Sequence, residues 1–164
     1  MTDETLKQKV LKNICALKAS GYDVVIVHGG GPFIKKALEV AQIKSEFIDG
    51  HRKTTPEALK HVEMALKGEV NGSLVGMINQ LGYKAVGLSG KDGKFVTAKK
   101  RLHEKMVDGK LQQFDLGQVG DVVKINPELI ETLLEGGYIP VVTCIAADEE
   151  GNGYNINADM FAGH

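Results

Sequence analysis

A chain of 164 residues, 43% hydrophobic and 25% charged with a formal net charge of −1, is long enough to bury a core as one domain and carries no field that would recruit nucleic acid or an acidic membrane. Its two cysteines are too few for a disulfide scaffold or a zinc site and read as buried thiols of a reducing compartment. The acidic opening Met1-Thr2-Asp3-Glu4 is unlike a signal peptide, no apolar run reaches a membrane span, and the expected location is the cytoplasm.

In chain order, Leu6, Val10, Ile14 and Leu17 recur at helical spacing, with Asp3 and Glu4 in the first turn and Gly21 as a stop. Val24 to Val27, uniformly apolar and β-branched, predicts a strand covered on both faces. It runs straight into His28-Gly29-Gly30-Gly31-Pro32. Glycines let backbone N–H groups approach a ligand, and Pro32 suits the first position of a helix whose N-terminus favours an anion. A plain glycine-rich turn between strand and helix explains this segment equally well. The helix runs from Pro32 to about Ala41. Gly50-His51-Arg52-Lys53-Thr54 falls in a loop between helices, where Arg52 is either a surface arginine or a forked partner for a carboxylate.

Thr55 before Pro56 opens a helix with Leu59, Val62 and Leu66 on one face, and beyond Gly68 a second helix carries Val70, Leu74, Ile78 and Leu81. Lys84 to Leu88 reads as a short strand ending at Ser89-Gly90-Lys91-Asp92-Gly93, with Lys94 to Ala98 returning as in a hairpin. Lys99-Lys100-Arg101 has no interleaved aromatic residues and reads as a solvated face. Asn126 caps a helix with Pro127 at its first position, Leu129, Ile130, Leu133 and Leu134 inward and Gly136-Gly137 as its stop; Tyr138 to Ala146 is a buried strand. Asp148, Glu150, Asn152, Gly153 and Asp159 fall on a calcium-loop template, but a strand-like segment precedes them and the last position lacks a bidentate Glu, so they read as a solvated turn. Asn157 caps a helix starting at Ala158.

Alternating helices and buried strands imply an α/β fold, a three-layer sandwich around a mainly parallel central sheet. A P-loop and a Gly-x-Gly-x-x-Gly fingerprint are both absent. The five histidines lack metal-ligand spacing, so no metal site is assigned, and His28 reads as a hydrogen-bonded structural residue.

Taken together and in order, His28-Gly29-Gly30-Gly31-Pro32, Gly50-His51-Arg52-Lys53-Thr54, Gly87-Leu88-Ser89-Gly90-Lys91-Asp92, Gly117-Gln118-Val119-Gly120 with Asn126-Pro127, and Tyr154-Asn155-Ile156-Asn157-Ala158-Asp159 resemble the acetylglutamate kinases of the amino acid kinase family. The resemblance implies the carbamate kinase-like fold of that family, here incomplete, with residues 1–164 forming a single domain like the substrate-binding N-terminal lobe. It implies transfer of the ATP γ-phosphoryl group, with Mg2+, to the side-chain carboxylate of N-acetyl-L-glutamate in arginine biosynthesis. By motif, Gly30 and Gly31 offer N–H groups to the reacting carboxylate and the transferred group, Arg52 and Asn155 hold the α-carboxylate, and Asp159 is the catalytic residue that orients two lysines. Such chemistry depends on positioning and electrostatics more than on covalent steps. The family's Lys-x-Gly-Gly first strand and its nucleotide lobe, which supply those lysines, find no match in this sequence, and no lysine here takes either role by motif. The expectation is a chain that is inactive alone and dimerises with its own kind, the helices from Pro56 to Leu81 serving core or interface. Two other readings remain open, a non-catalytic acetylglutamate-binding or interaction module and a kinase for carrier-linked aminoadipate.

Overall fold

The computed structural model describes residues 3–107 and 109–164; Met1 and Thr2 of the acidic opening lie outside them. Helix α1 (Glu4–Ala19) starts at Asp3, whose carboxylate accepts the Leu6 N–H at 3.0 Å. Its buried face is Lys7, Leu11 and Cys15 rather than the expected stripe, for Leu6 and Leu17 remain about half exposed, at 49% and 51%. The reason lies in the partner: Leu11 and Cys15 pack with Leu74, Ile78, Ile139 and Val141, leaving Ile14 at the margin. Lys7 buries its aliphatic stem in this face while its ammonium reaches Glu4 at 2.6 Å.

Strand β1 (Ile26–His28) leads into α2 (Gly31–Val40), and a hairpin of β2 (Glu46–Ile48) and β3 (His51–Lys53) comes next. The segment around Arg52, expected as a loop, is therefore extended and paired. Its turn is Asp49-Gly50, both at positive φ, the conformation a two-residue type I′ hairpin requires. After it comes α3 (Pro56–Glu63), capped by the Thr55 hydroxyl accepting the Ala58 N–H at 3.1 Å. It continues without a break through a π-helical segment, Met64–Asn71, into α4 (Gly72–Gln80). Where two helices were expected there is thus one helical run. Gly68 does not interrupt it, because the residues joining the three segments, Met64, Asn71 and Gly72, all keep right-handed helical φ and ψ.

Strand β4 (Ala85–Ser89) does not form a hairpin with the next strand. After a 3₁₀ turn, β5 (Val96–Val107) pairs antiparallel with β6 (Lys110–Ile125), and these two close a small barrel with β8 (Ile145–Ala147) and β9 (Gly153–Asn155). Helix α5 (Glu128–Glu135), preceded by Asn126 accepting the Glu128 N–H at 3.3 Å, returns the chain to β7 (Ile139–Thr143). The expected strand from Tyr138 to Ala146 is split at Cys144, beyond which the chain leaves the sheet for the barrel. Asn157 caps α6 (Ala158–Ala162) by accepting the Asp159 and Met160 N–H groups.

The central sheet is parallel, in the order β1-β7-β4, with His28 and Ser89 both aligned with Thr143. Every residue of β7 is buried, as befits a middle strand. One of its faces, through Ile139 and Val141, meets α1 and α4. The other side holds Val142 and Leu88 in a larger cluster with Ile34 and Leu38 of α2, Val62 of α3, Leu66 and the barrel residues Val96 and Ile145. Strand β1, expected to be covered on both faces, is only half-buried and Val25 before it is exposed, because among the described residues β7 is its one strand neighbour.

Candidate functional site

Three parallel strands end side by side at His28, Ser89 and Thr143, and the carboxyl edge of such a sheet is where α/β proteins bind their ligands. Three chain segments continue from that edge. From β1 come Gly29, Gly30 and Gly31, the last opening α2, with Pro32 as its next residue. Among the described residues the Gly30 and Gly31 N–H groups have no protein acceptor, which leaves them as donors at the positive end of a helix. From β4 comes Ser89-Gly90-Lys91-Asp92. Its Asp92 accepts the Ser89 N–H at 2.6 Å and the Ser89 hydroxyl at 3.0 Å, and pairs with Lys67. Lys91 is paired in turn with Glu63 at 2.7 Å. From β7 comes Thr143, fully buried, with a hydroxyl that lacks a hydrogen-bond partner.

The turn is packed tightly at Gly30 and less so at Gly29. A Cβ on Gly30 would lie 2.7 Å from Leu66 Cδ2 and 3.2 Å from Val70 Cγ2, both in the π-helical segment, and one on Gly29 would lie 3.4 Å from the Ala158 Cβ. The turn is thus clasped between the π-helical segment and the start of α6. Such single π segments inside α-helices recur at functional sites. This one carries Asn71, whose buried amide donates to His28 Nε2 at 2.9 Å and to the Val141 carbonyl at 2.8 Å. Burial holds the His28 ring below its usual pKa, against the opposing effect of its bond to the Gly29 carbonyl.

Gly29, Gly30 and Gly31 line a cavity of about 570 Å³ together with His28, Ile26 and, from α1, Lys7. Arg52 is not in it. Its guanidinium donates to the Ser45 hydroxyl at 2.5 Å and stacks over the Phe47 ring at 4.6 Å, facing a smaller cavity of about 370 Å³ lined also by Lys35 and Glu39 of α2. Among the described residues it has no carboxylate partner. The strand bearing it is nevertheless tied to the rest: Thr54 bonds to Leu116 and Gln118 of β6 at 2.8 and 2.6 Å. One residue further along β6, Val119 aligns with Asn155. Asn155 is also aligned with Ile145, next to the end of β7, and Asp159 lies in the first turn of α6, whose Ala158 approaches Gly29. Gly30, Gly31, Asn155 and Asp159 therefore gather around the carboxyl edge of the sheet, while Arg52 is held to one side.

This fold has relatives. The model of the amino acid kinase family matches residues 1–164. The chain belongs to the amino acid kinase family. It is 49% identical over 164 residues to the acetylglutamate kinase of Trichlorobacter lovleyi and 48% identical to that of Methanocaldococcus jannaschii, covering 99% of this chain and 56% and 55% of theirs. It thus spans about half the length of these curated relatives. Among solved structures, smu.665 of Streptococcus mutans superposes with a TM-score of 0.78 at 32% identity, covering 93% of this chain and 58% of that one. The N-acetylglutamate synthase of Neisseria gonorrhoeae, complexed with coenzyme A and N-acetyl-glutamate, does so with a TM-score of 0.72 at 18% identity, over 95% and 34%. The fold, α/β around a parallel sheet, is shared with Giardia carbamate kinase, which superposes with a TM-score of 0.54 at 12% identity, over 94% of this chain and 58% of that one.

Two groups at this edge of the sheet escaped sequence reasoning. Lys7 is a cation on the inner, not the outer, face of α1; its spacing with Leu11 and Cys15 at four and eight residues was the available signal. Asn71 is a polar residue within an apolar helical pattern, which marks an inward-facing amide once the run is known to be continuous.

Proposed function

We propose that this chain carries the acceptor-binding lobe of an acetylglutamate kinase and holds N-acetyl-L-glutamate at the carboxyl edge of its parallel sheet. The observation that supports this most is the pair of Gly30 and Gly31 N–H groups, without an acceptor among the described residues, at a helix start on the sheet edge near which Asn155 and α6 also lie. In this reading the substrate's side-chain carboxylate and the transferred phosphoryl group lie against those N–H groups. Preorganised donors of this kind stabilise charge that develops during transfer. The α-carboxylate is taken by Asn155 and by Arg52, whose guanidinium exchanges the Ser45 hydroxyl for a ligand carboxylate. Transfer forms a bond from the acceptor carboxylate oxygen to the γ-phosphorus of ATP and breaks that phosphorus's bond to the bridging oxygen, giving an acyl phosphate and ADP. Mg2+ accompanying ATP would be held mainly by the nucleotide's phosphate oxygens, where it would neutralise charge during transfer. Asp159 takes the role of orienting two lysines, neither of which is matched by motif among the lysines of this sequence, and acceptor binding without turnover is the outcome this reading predicts. The chain also pairs with a second copy, a reading favoured by the outward face of the helical run at Met64, 67% exposed; sedimentation showing only monomer at micromolar concentration would refute this.

Calorimetric titration with N-acetyl-L-glutamate tests the reading. Saturable binding is expected, weakened roughly 10- to 100-fold by Arg52→Ala, as fits the loss of about 1.5–3 kcal/mol in hydrogen bonds to a charged group. Equal binding by parent and variant removes Arg52 from the site, and a folded chain that does not bind at all overturns the proposal.

A further inference from the structure

Behind the glycine turn lies a buried polar chain that runs from Val141 through Asn71 and His28 to Gly29, and its proton positions are dictated by its partners. The Asn71 amide nitrogen faces the Val141 carbonyl at 2.8 Å. Turned the other way, the amide would set its oxygen against another acceptor, so this contact fixes its orientation. The same nitrogen, with its second hydrogen, faces His28 Nε2 at 2.9 Å; that ring nitrogen must accept. A neutral imidazole that accepts at Nε2 carries its proton on Nδ1, and Nδ1 lies 3.0 Å from the Gly29 carbonyl. Cis peptides are absent among the described residues. In a trans peptide the C=O of one residue and the N–H of the next point in opposite directions. A Gly29 carbonyl drawn to the ring therefore turns the Gly30 N–H away from it.

Without this tie the Gly29-Gly30 peptide would be weakly constrained, since glycine on both sides leaves rotation of its plane cheap. The surroundings are arranged to keep the tie. A Cβ on Gly87 of β4 would overlap the Asn71 amide oxygen, so that strand carries a glycine where the amide lies. Asn71 itself is 2% exposed, and the π-helical register brings it inward on the same segment that packs Leu66 and Val70 against Gly30.

We propose that His28 and Asn71 form a positioning pair for ligand binding: Asn71 sets the ring with its proton on Nδ1, the ring holds the Gly29 carbonyl, and the planar peptide aims the Gly30 N–H into the site. This rests on the reading of Gly30 as a donor to the acceptor's carboxylate and the transferred group, and it gives the strand-ending histidine a role beyond packing.

The test uses the whole chain labelled with ¹⁵N-histidine. The ring resonances of His28 are expected to show a protonated Nδ1 and an unprotonated Nε2, and a protonated Nε2 overturns the pair. In parallel, N-acetyl-L-glutamate is titrated into the parent, His28→Leu and His28→Asn, each first shown to unfold cooperatively. Leucine removes the donor, whereas the asparagine amide puts an N–H close to the place of Nδ1. Affinity is expected to fall about tenfold or more in His28→Leu, the effect of one lost charge-assisted bond, and to return to within about threefold of the parent in His28→Asn. Parent-like binding by His28→Leu, or equal loss in both folded variants, overturns the positioning role. A parent that does not bind overturns the substrate reading instead; the ring tautomer then decides the pair by itself.

Discussion

Gly117→Ala should destabilise the chain about twice as much as Gly50→Ala, although both glycines sit at similar positive φ, 73° and 80°. At Gly50 nothing lies within 4 Å of an added Cβ, so the substitution costs only the left-handed conformation, about 1–2 kcal/mol. At Gly117 the same Cβ would overlap the carbonyl oxygen of Thr54. That oxygen accepts the Gln118 N–H at 2.6 Å, while the Thr54 N–H donates to Leu116 at 2.8 Å. The methyl group cannot be accommodated by a side-chain shift, because its neighbour is backbone, so the β3 extension must lift from β6. Two hydrogen bonds at about 1 kcal/mol each then add to the conformational term, for roughly 3–4 kcal/mol in all. In a domain of this size each kcal/mol moves Tm by about 2–4 °C, which gives about 6–16 °C for Gly117→Ala against about 2–8 °C for Gly50→Ala, with the shift in the first about twice that in the second. Thermal unfolding followed by circular dichroism measures both, and amide exchange at Thr54 and Gln118 locates the damage. Equal shifts in the two variants would show that the β3–β6 tie contributes nothing, and the account of how Arg52 is anchored would fall with it.

Asp92 offers a pH test. Burial pushes its carboxyl up, but Lys67 and the Ser89 N–H and hydroxyl together outweigh it and hold the pKa below the usual value. A carboxyl depressed in the folded state stabilises above its unfolded pKa, near 3.9, and the contribution is lost as pH falls through the folded value. Asp92→Asn should therefore lower stability at pH 7 and flatten the decline of Tm below about pH 4; an acid limb identical to the parent's would refute the ion pair. Burial pushes the Cys144 thiol up to about 11, so iodoacetamide at pH 8 should leave it unmodified in the folded chain and alkylate it in urea, while prompt labelling of the native protein would contradict the packing around β7.

What was legible in the sequence is mostly what a helix end requires. Thr55 and Asn157 each accept the N–H groups their positions suggested, and Asp3, expected within the first turn of α1, is its cap, because a cap is satisfied within three residues of itself and needs no tertiary partner. The parallel sheet could be inferred from short apolar blocks separated by helices. The long β5–β6 hairpin could not, since alternation is a signal only where one face is buried. Here Ala98 is buried but Lys99 and Lys100 beyond it are exposed, and the support is cross-strand, as between Lys100 and Asp115 at 2.7 Å. The β2–β3 hairpin announced its turn with Asp49-Gly50, yet flanking residues as polar as Glu46 and Lys53 hid the strands.

The same division runs through the site. The glycine turn and its helix start are local and could be read directly, but what aims one of its N–H groups comes from Asn71, 43 residues beyond His28 in the chain, and the room for Asn71 comes from a glycine in a third element. Each of these residues has an ordinary local explanation: a strand-ending histidine, a helical asparagine, a glycine in a strand. Only their convergence gives them a joint one. A substitution at Gly87 should then act on the glycine turn without touching it, through the amide that it displaces, and Gly87→Ala is expected to disturb the His28 ring resonances as Asn71→Ala does. Unchanged ring resonances in a folded Gly87→Ala chain would mean that the amide moves freely, and that the orientation of the Gly29-Gly30 peptide is set by the turn itself.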